Sequence, residues 1–317
     1  MWDHRAISVR VTLIHNPGAG RHGTGQLEHL LRLLKDAGHE VREQSSRDKD
    51  WADALGENAD VVAVAGGDGT VSRVAKKLKG SGTPIAPLPA GTANNISTTL
   101  GLVGRPLEDL VRGWQGSRRL KLDLGVANGP WGRRYFLEGV GAGLFAHAAD
   151  VAPKDKLPPT PEEKVRWAIR NLRRQLLEMK PARIDASLDG EDVSGEYLLF
   201  EALNIPFVGP NLFLAPDSRQ GDGQLDLVMV SGAERDRLAH YLEHWEQKKE
   251  RLAVLPTRQG RHLRVTWTGC RVHIDDEFWP EDAAPAKPAA EIDVRIEDAA
   301  VDFLAPADLH APDKKKR

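Results

Sequence analysis

With 317 residues, 44 basic and 46 acidic side chains and a formal charge of −2, the chain can fill two hydrophobic cores, and it is too evenly charged to attract nucleic acid by a global field. Its one cysteine, Cys270, excludes an intrachain disulfide and favours a reducing, cytoplasmic setting. No apolar run reaches the roughly 18 to 20 residues that cross a bilayer, and Met1 to Arg10 lacks a signal peptide's apolar stretch; the expectation is a soluble or peripheral protein with no transmembrane segment.

The first 125 or so residues alternate short β-branched runs with helical patterns, which predicts βα units around a parallel, Rossmann-like sheet. The strand-like runs are Val9 to Ile14, Asp60 to Ala65 and Ile85 to Leu88, and each leads into a small-residue turn: HNPGAG, GGDGT and PAGTANN. In an open α/β sheet ligands bind beyond the carboxyl ends of the strands, where these loops gather. The loop Gly66 to Thr70 follows a buried strand and opens a helix at Thr70 or Val71, an arrangement that lets backbone amides approach phosphate oxygens closely. It lacks the Gly-Lys-Ser/Thr ending of a Walker A loop. The loop of Asn16, Pro17 and Gly20 repeats the design ahead of a Leu27, Leu30, Leu31, Leu34 stripe. In the third loop Gly91, Thr92 and Asn94 start another helix, where Thr92 is placed to cap amides or to meet a phosphate.

From about Lys121 longer strand-like runs predict a mostly antiparallel, β-sandwich-like second domain, with Asp189-Gly190 as a hairpin turn and helices over Glu162 to Met179 and Glu234 to about Lys249. The first of these helices sets Val165, Ile169, Leu172, Leu176 and Met179 on one stripe and Lys164, Arg166, Arg170, Arg173 and Arg174 elsewhere, a pattern that suits either an ordinary core helix or an anionic membrane surface. Phe207, Val208, Leu212, Phe213 and Leu214 flank Gly209-Pro210 and read either as an acyl-chain entrance or as core strands. In RVHIDDEFWP a strand would point Val272 and Ile274 to the core and place His273, Asp275 and Glu277 on the opposite face, a place for a general base. Glu281 to Ala290 reads as a flexible loop, and the closing APDKKKR as a disordered tail. The domains expected are 1–122, rejoined by a strand near 300–306, and 123–300, with 307–317 as the tail.

GGDGT followed by PAGTANN, together with FLEGVGAGLFAH, LAPDSRQGDGQLDLVMV and the late AVDFLAP, resembles the diacylglycerol kinase catalytic superfamily, over Val9 to about Pro306. The resemblance implies an ATP- and Mg2+-dependent kinase of a membrane lipid hydroxyl, such as that of diacylglycerol. It implies a nucleotide site drawn from Asn16, Pro17, Gly20, Ser45, Gly66, Gly67, Asp68, Gly69, Thr70, Gly91, Thr92 and Asn94. It places Asp68 at the phosphates and magnesium, Asp275 or Glu277 across an interdomain cleft as the proton acceptor, and Asp222 at a structural magnesium. A peripheral membrane setting and a homodimer accompany that reading. The sequence departs from the family pattern at Asn95, where an aspartate is usual, and at Asp276, where a glycine is usual; a left-handed backbone at position 276 would tolerate that aspartate. The alternatives are a soluble NAD kinase-like enzyme and an inactive nucleotide- or lipid-binding regulator.

Overall fold

A computed structural model of the chain describes residues 8–19, 24–56, 58–150, 157–249, 253–280 and 290–309. Gly20, the segment 281–289 and the tail 311–317 lie outside the described residues. The chain divides into two compact units, residues 1–122 with 300–310 and residues 123–299 with 311–317.

The first unit runs β1 (Arg10–His15), α1 (Thr24–Asp36), β2 (Glu40–Ser45), β3 (Val61–Gly66), α2 (Asp68–Lys77), β4 (Ile85–Pro89), α3 (Asn95–Thr99) and α4 (Leu107–Arg112). Its sheet is parallel in the order β2-β1-β3-β4. All six residues of β3 are buried, as a central parallel strand covered on both faces requires, and burying Val62 and Val64 contributes about 1.5–3 kcal/mol each. The edge strand β2 is mostly polar and half-exposed, which explains why alternation alone did not mark it as a strand. Helix α1 buries Leu30 and Leu34 of its leucine stripe and leaves Leu27 and Leu31 half-buried. Helix α2 starts at Asp68, two to three residues earlier than the sequence pattern predicts.

The second unit is entered along β5 (Arg118–Gly129). It continues with β6 (Gly132–Phe136), β7 (Gly139–Gly143), α5 (Leu144–Asp150), α6 (Pro161–Glu178), β8 (Ala182–Leu188), β9 (Glu191–Asp192) and β10 (Gly195–Leu203). Then come β11 (Phe207–Val208), β12 (Leu212–Phe213), β13 (Leu225–Ser231), α7 (Arg235–Glu246), β14 (Thr257–Gly260), β15 (His262–Trp267), β16 (Val272–Ile274), β17 (Glu277–Trp279) and β18 (Ala290–Ala305). Its antiparallel ladder has two arms joined at β10: one runs β17-β16-β7-β10-β13-β14, and the other leaves the start of β10 through β8, β15 and β18 to β5 and β6. The last residues of β18 return to the first unit, where Phe303 pairs with Ile85 in parallel. Alternation along β10 decides which side chains meet: Phe200 and Ala202 join Val140, Ala142, Val272, Ile274, Leu263 and Ile292 in one core, while Leu199 and Leu203 pack with Ile169, Leu172, Leu176 and Leu242 of α6 and α7 in another. The Asp189-Gly190 hairpin is present, both residues having positive φ (52° and 89°) between the paired Leu188 and Glu191, as a two-residue turn of this kind demands.

Helix α6 begins at a capping box, Thr160 Oγ1 accepting from Glu163 N at 3.2 Å. Ile169, Leu172, Leu176 and Met179 of its apolar stripe are buried with Val165 packed against them, and three of its arginines are engaged: Arg170 Nε lies 2.5 Å from Glu246 Oε1, Arg173 donates to Glu243 Oε2 at 3.0 Å, and Arg174 donates to Asn171 Oδ1 at 2.8 Å. Of the two readings of this helix, the ordinary core helix is the one observed. Val208, Leu212 and Leu214 are likewise core, with Phe207 stacked on Phe213 at 4.8 Å between ring centres. Among the described residues no helix is long and apolar enough to cross a membrane.

Candidate active site

In the first unit the three glycine loops interlock. Asn16, just past β1, donates its backbone N–H to Ala65 O at 2.9 Å and its side-chain Nδ2 to Thr70 Oγ1 at 3.2 Å, while its Oδ1 accepts from Gly18 N at 2.9 Å. The first loop is thereby tied to the end of β3 and to α2. Ala90 N donates to Gly66 O at 3.0 Å, and Gly67 and Gly91 lie backbone against backbone: a Cβ built on Gly91 would sit 2.5 Å from Gly67 Cα. Any side chain at either position separates the second loop from the third, which is the physical reason for glycine here. Helix α2 has Gly67 as its N-cap with no side-chain cap, which leaves the helix start open to an anion.

Asp68 is half-buried, and its Oδ1 accepts the backbone N–H of Ile96 at 2.9 Å, with the amides of Asn95 and Asn94 also turned toward it. Burial pushes its carboxyl above the ordinary range, and the amides offset only part of that. The cap of α3 is therefore Asp68 and not Thr92, which is exposed. Asn94 is left-handed (φ 55°) and closes its own loop, its Oδ1 accepting from Gly91 N at 2.9 Å and its Nδ2 donating to Gly91 O at 3.0 Å. Ser45 ends β2 with its Oγ accepting from Arg47 N at 3.2 Å, and Pro17 is exposed. Arg47 is a basic group that the motif reading missed: a Cβ on Gly18 would collide with its guanidinium, so this cation lies against the first loop.

Among the described residues no three of His, Cys, Asp and Glu converge so as to hold a metal. Asp68 is already committed to α3, and among the described residues of the first unit no carboxylate cluster forms a magnesium cage. Magnesium keeps most of its ligands as water and phosphate oxygens and suits such a loop as part of the nucleotide complex. Asp222 forms a local turn, its Oδ1 accepting from Gln224 N at 3.0 Å, with burial and the nearby Asp123 raising its carboxyl. Asp123 itself is buried and takes the amides of Gly223 at 2.8 Å and Ala299 at 2.5 Å.

In the second unit the expected strand face fails at one point. Strand β16 ends at Ile274, and Asp275 is left-handed (φ 52°), so the chain reverses through Asp275-Asp276 and Ile274 pairs with Glu277. Asp275 and Glu277 therefore do not continue the face of His273, and the left-handed residue is Asp275 rather than Asp276. The Asp275 carboxylate accepts from Leu137 N at 3.0 Å, Glu138 N at 2.8 Å and Gly139 N at 3.4 Å, and its own N–H donates to Gly139 O at 2.9 Å. Glu277 is exposed, 3.7 Å from Arg134. His273 does face away from the sandwich core but is buried with Glu201, Nε2 to Oε2 at 2.7 Å. Nothing in the alternation of β10 announced that Glu201 would be internal.

The sequence model of the diacylglycerol kinase catalytic domain matches residues 10–127, and that of the YegS C-terminal NAD kinase beta sandwich-like domain matches residues 138–284. A diacylglycerol kinase of Mycobacterium tuberculosis (strain CDC 1551 / Oshkosh) is 26% identical over 282 residues, covering 85% of this chain and 89% of that protein. A diacylglycerol kinase of Bacillus subtilis (strain 168) is 28% identical over 267 residues, covering 80% of each. The crystal structure of a diacylglycerol kinase from Bacillus anthracis (strain Sterne) superposes with a TM-score of 0.66 at 17% identity, covering 94% of this chain and 97% of that one, a likeness of fold. With the glycine loops in the first matched segment and the β-sandwich in the second, the chain carries a diacylglycerol kinase catalytic domain followed by a YegS C-terminal-like domain, and it is a kinase.

Proposed function

We propose that the protein is an ATP-dependent lipid kinase that transfers the γ-phosphate of ATP, presented as its magnesium complex, to a hydroxyl of a membrane lipid such as diacylglycerol. The observation that carries this reading is the interlocked set of three glycine loops at the uncapped start of α2, within the segment matched by the diacylglycerol kinase catalytic domain. Phosphoryl transfer demands little covalent help, so a phosphate cradle, charge neutralisation and one proton acceptor suffice. The amides around Gly67 to Gly69, the Thr70 hydroxyl and the Arg47 guanidinium bind and orient the phosphates. Asp68 fixes α3 against that loop.

The acceptor hydroxyl oxygen forms a bond to the γ-phosphorus, the bond from that phosphorus to the β–γ bridging oxygen breaks, ADP leaves, and the hydroxyl proton passes to a carboxylate. Of the two candidate carboxylates, Asp275 and Glu277, we assign this role to Asp275, because backbone amides hold it in one orientation while Glu277 is loosely paired at the surface. The peripheral membrane setting follows from the substrate class and not from α6. The test is transfer of labelled phosphate from Mg·ATP to dioleoylglycerol, phosphatidylglycerol and sphingosine in mixed micelles, with NAD as a soluble acceptor. Labelling of one lipid supports the reading, labelling of NAD alone replaces it with a soluble NAD kinase, and ATP binding without transfer replaces it with a regulator.

A further inference from the structure

The buried pair Glu201 and His273 is not used by any step above. Strand β7 lies between β10 and β16, and Gly141 on it is the register partner of both Glu201 and His273. All three residues face the helix-covered side of the sheet, opposite the sandwich core that takes Val140, Phe200 and Val272. A Cβ on Gly141 would run into the Glu201 carboxylate, so the missing side chain in the middle strand is what lets two side chains from strands on either side of it meet. Glu201 Oε2 and His273 Nε2 are 2.7 Å apart, and Glu201 Oε1 is buried with no hydrogen-bond partner. Phe145 of α5 and Phe278 of β17 bring ring centres to 5.8 and 6.3 Å from that of the imidazole and shut out water. The carboxylate of Asp275 adds its negative charge to that of Glu201 at His273, and the Arg271 guanidinium lies on the Phe278 ring that packs against the imidazole, 5.2 Å from the ring centre.

The other ring nitrogen settles what the pair does. His273 Nδ1 is 3.1 Å from the backbone oxygen of Asp275, an atom that only accepts, so Nδ1 carries a proton. We propose that Glu201 and His273 are a positioning pair: one proton on the Nε2···Oε2 line keeps the second on Nδ1, and the Nδ1–H donated to the Asp275 carbonyl pins the left-handed residue whose carboxylate takes the hydroxyl proton. The bookkeeping is the same whether the shared proton sits on the imidazole or on the carboxyl, since both leave Nδ1–H in place. Loss of that proton leaves Nε2 facing an anionic oxygen; the imidazole then moves its remaining proton to Nε2, and Nδ1 meets the Asp275 carbonyl with a lone pair. The contact that steadies Asp275 becomes a repulsion, so the turn loosens as pH rises through the pair's titration. Burial disfavours the charged imidazole, but the attraction of Glu201 and Asp275 outweighs it and raises His273, while burial raises Glu201; both shifts favour the doubly protonated pair.

This inference rests on the reading of Asp275 as the proton acceptor, and the experiment separates the two. His273→Asn keeps a donor at the Nδ1 place, whereas His273→Gln keeps one only at the Nε2 place; both lose the same ring packing. With Mg·ATP and dioleoylglycerol in mixed micelles, His273→Asn is expected to keep kcat within about threefold of the unaltered protein, and His273→Gln to lose about tenfold or more, with KM for ATP unchanged in both. Glu201→Gln, whose amide N–H can donate to Nε2, is expected to remove the alkaline decline of kcat. Equal losses in the two His273 variants, or an unaltered alkaline decline in Glu201→Gln, would overturn the proposal. Nitrogen-15 NMR of the full chain labelled at histidine, with the His273 signals assigned by their loss in either variant, reads the donor directly. Protonated Nδ1 at pH 7 that is lost on alkalinisation supports the pair, and the Nε2–H tautomer at pH 7 refutes it, whatever the activity. If the unaltered protein labels no lipid while Nδ1 is protonated, the kinase reading fails and the catalytic purpose of the pair fails with it.

Discussion

Asp68 and Asp275 do the same structural thing in different surroundings. Each carboxylate collects backbone amides from a distant segment: Asp68 takes Ile96, 28 residues on, and Asp275 takes Leu137 and Glu138, 138 and 137 residues back. Asp68 is flanked by glycines at a helix start in the first unit, and burial raises its carboxyl. Asp275 sits at a left-handed turn between two short strands in the second unit. The lesson is that a residue nominated for chemistry can also be a brace, so an inactive variant at either position does not by itself reveal a chemical role. The two roles separate only when the substitution keeps the hydrogen-bond acceptor and removes the charge.

The largest effect is expected at Asp275. Asp275→Asn keeps an oxygen for the amides but cannot take a proton, so kcat should fall about 100-fold or more while thermal stability changes little. Asp275→Ala adds a stability loss of about 1–3 kcal/mol, because the amides of Leu137 and Glu138 lose their acceptor. Should Asp275→Asn keep both its stability and full activity, Asp275 is a brace alone and Glu277 inherits the chemistry. Next comes Gly91→Ala, whose Cβ would press to 2.5 Å from Gly67 Cα; it should raise KM for ATP about tenfold with a smaller change in kcat, as seen by steady-state kinetics.

A smaller effect is expected on the exposed helix pairs. Arg170→Ala with Arg173→Ala removes two partly exposed ion pairs to Glu246 and Glu243, worth about 0.2–1 kcal/mol each, and should leave liposome cosedimentation unchanged. A clear loss of liposome binding would restore the membrane role to α6. The smallest concerns Asp60, which its hydrogen bonds to the Arg10 side chain and amide hold at about 2. Its folded value lies below the unfolded value of about 3.9, so its contribution is present above pH ~4 and is lost as pH falls toward ~2. Asp60→Asn should flatten that acid limb in urea titrations.

The first unit was largely legible because its signals are local. A buried β-branched strand, two glycines and a helix start lie within eleven residues of one another, and the structure places Gly66 to Thr70 where that pattern puts them. What the pattern could not supply was the use of Asp68, since its partner amide belongs to another loop, nor Arg47, whose place depends on a polar edge strand. In the second unit the strand alternation was readable, and Val272, Ile274 and His273 fall on the expected faces. It failed at Asp275 because a two-residue reversal is set by a positive φ that an aspartate does not advertise. The Glu201–His273 pair was invisible for a stronger reason: it needs three strands in register and a glycine in the middle one.

The most direct test of the central claim is transfer of γ-labelled phosphate from Mg·ATP to dioleoylglycerol in mixed micelles, by the unaltered protein and by Asp275→Asn at equal folded concentration. The account predicts labelled lipid with the first and a rate lower by about 100-fold with the second, with ATP binding retained by both. Lipid labelled equally by both would contradict the assignment of Asp275, and label appearing on no lipid would contradict the lipid kinase itself.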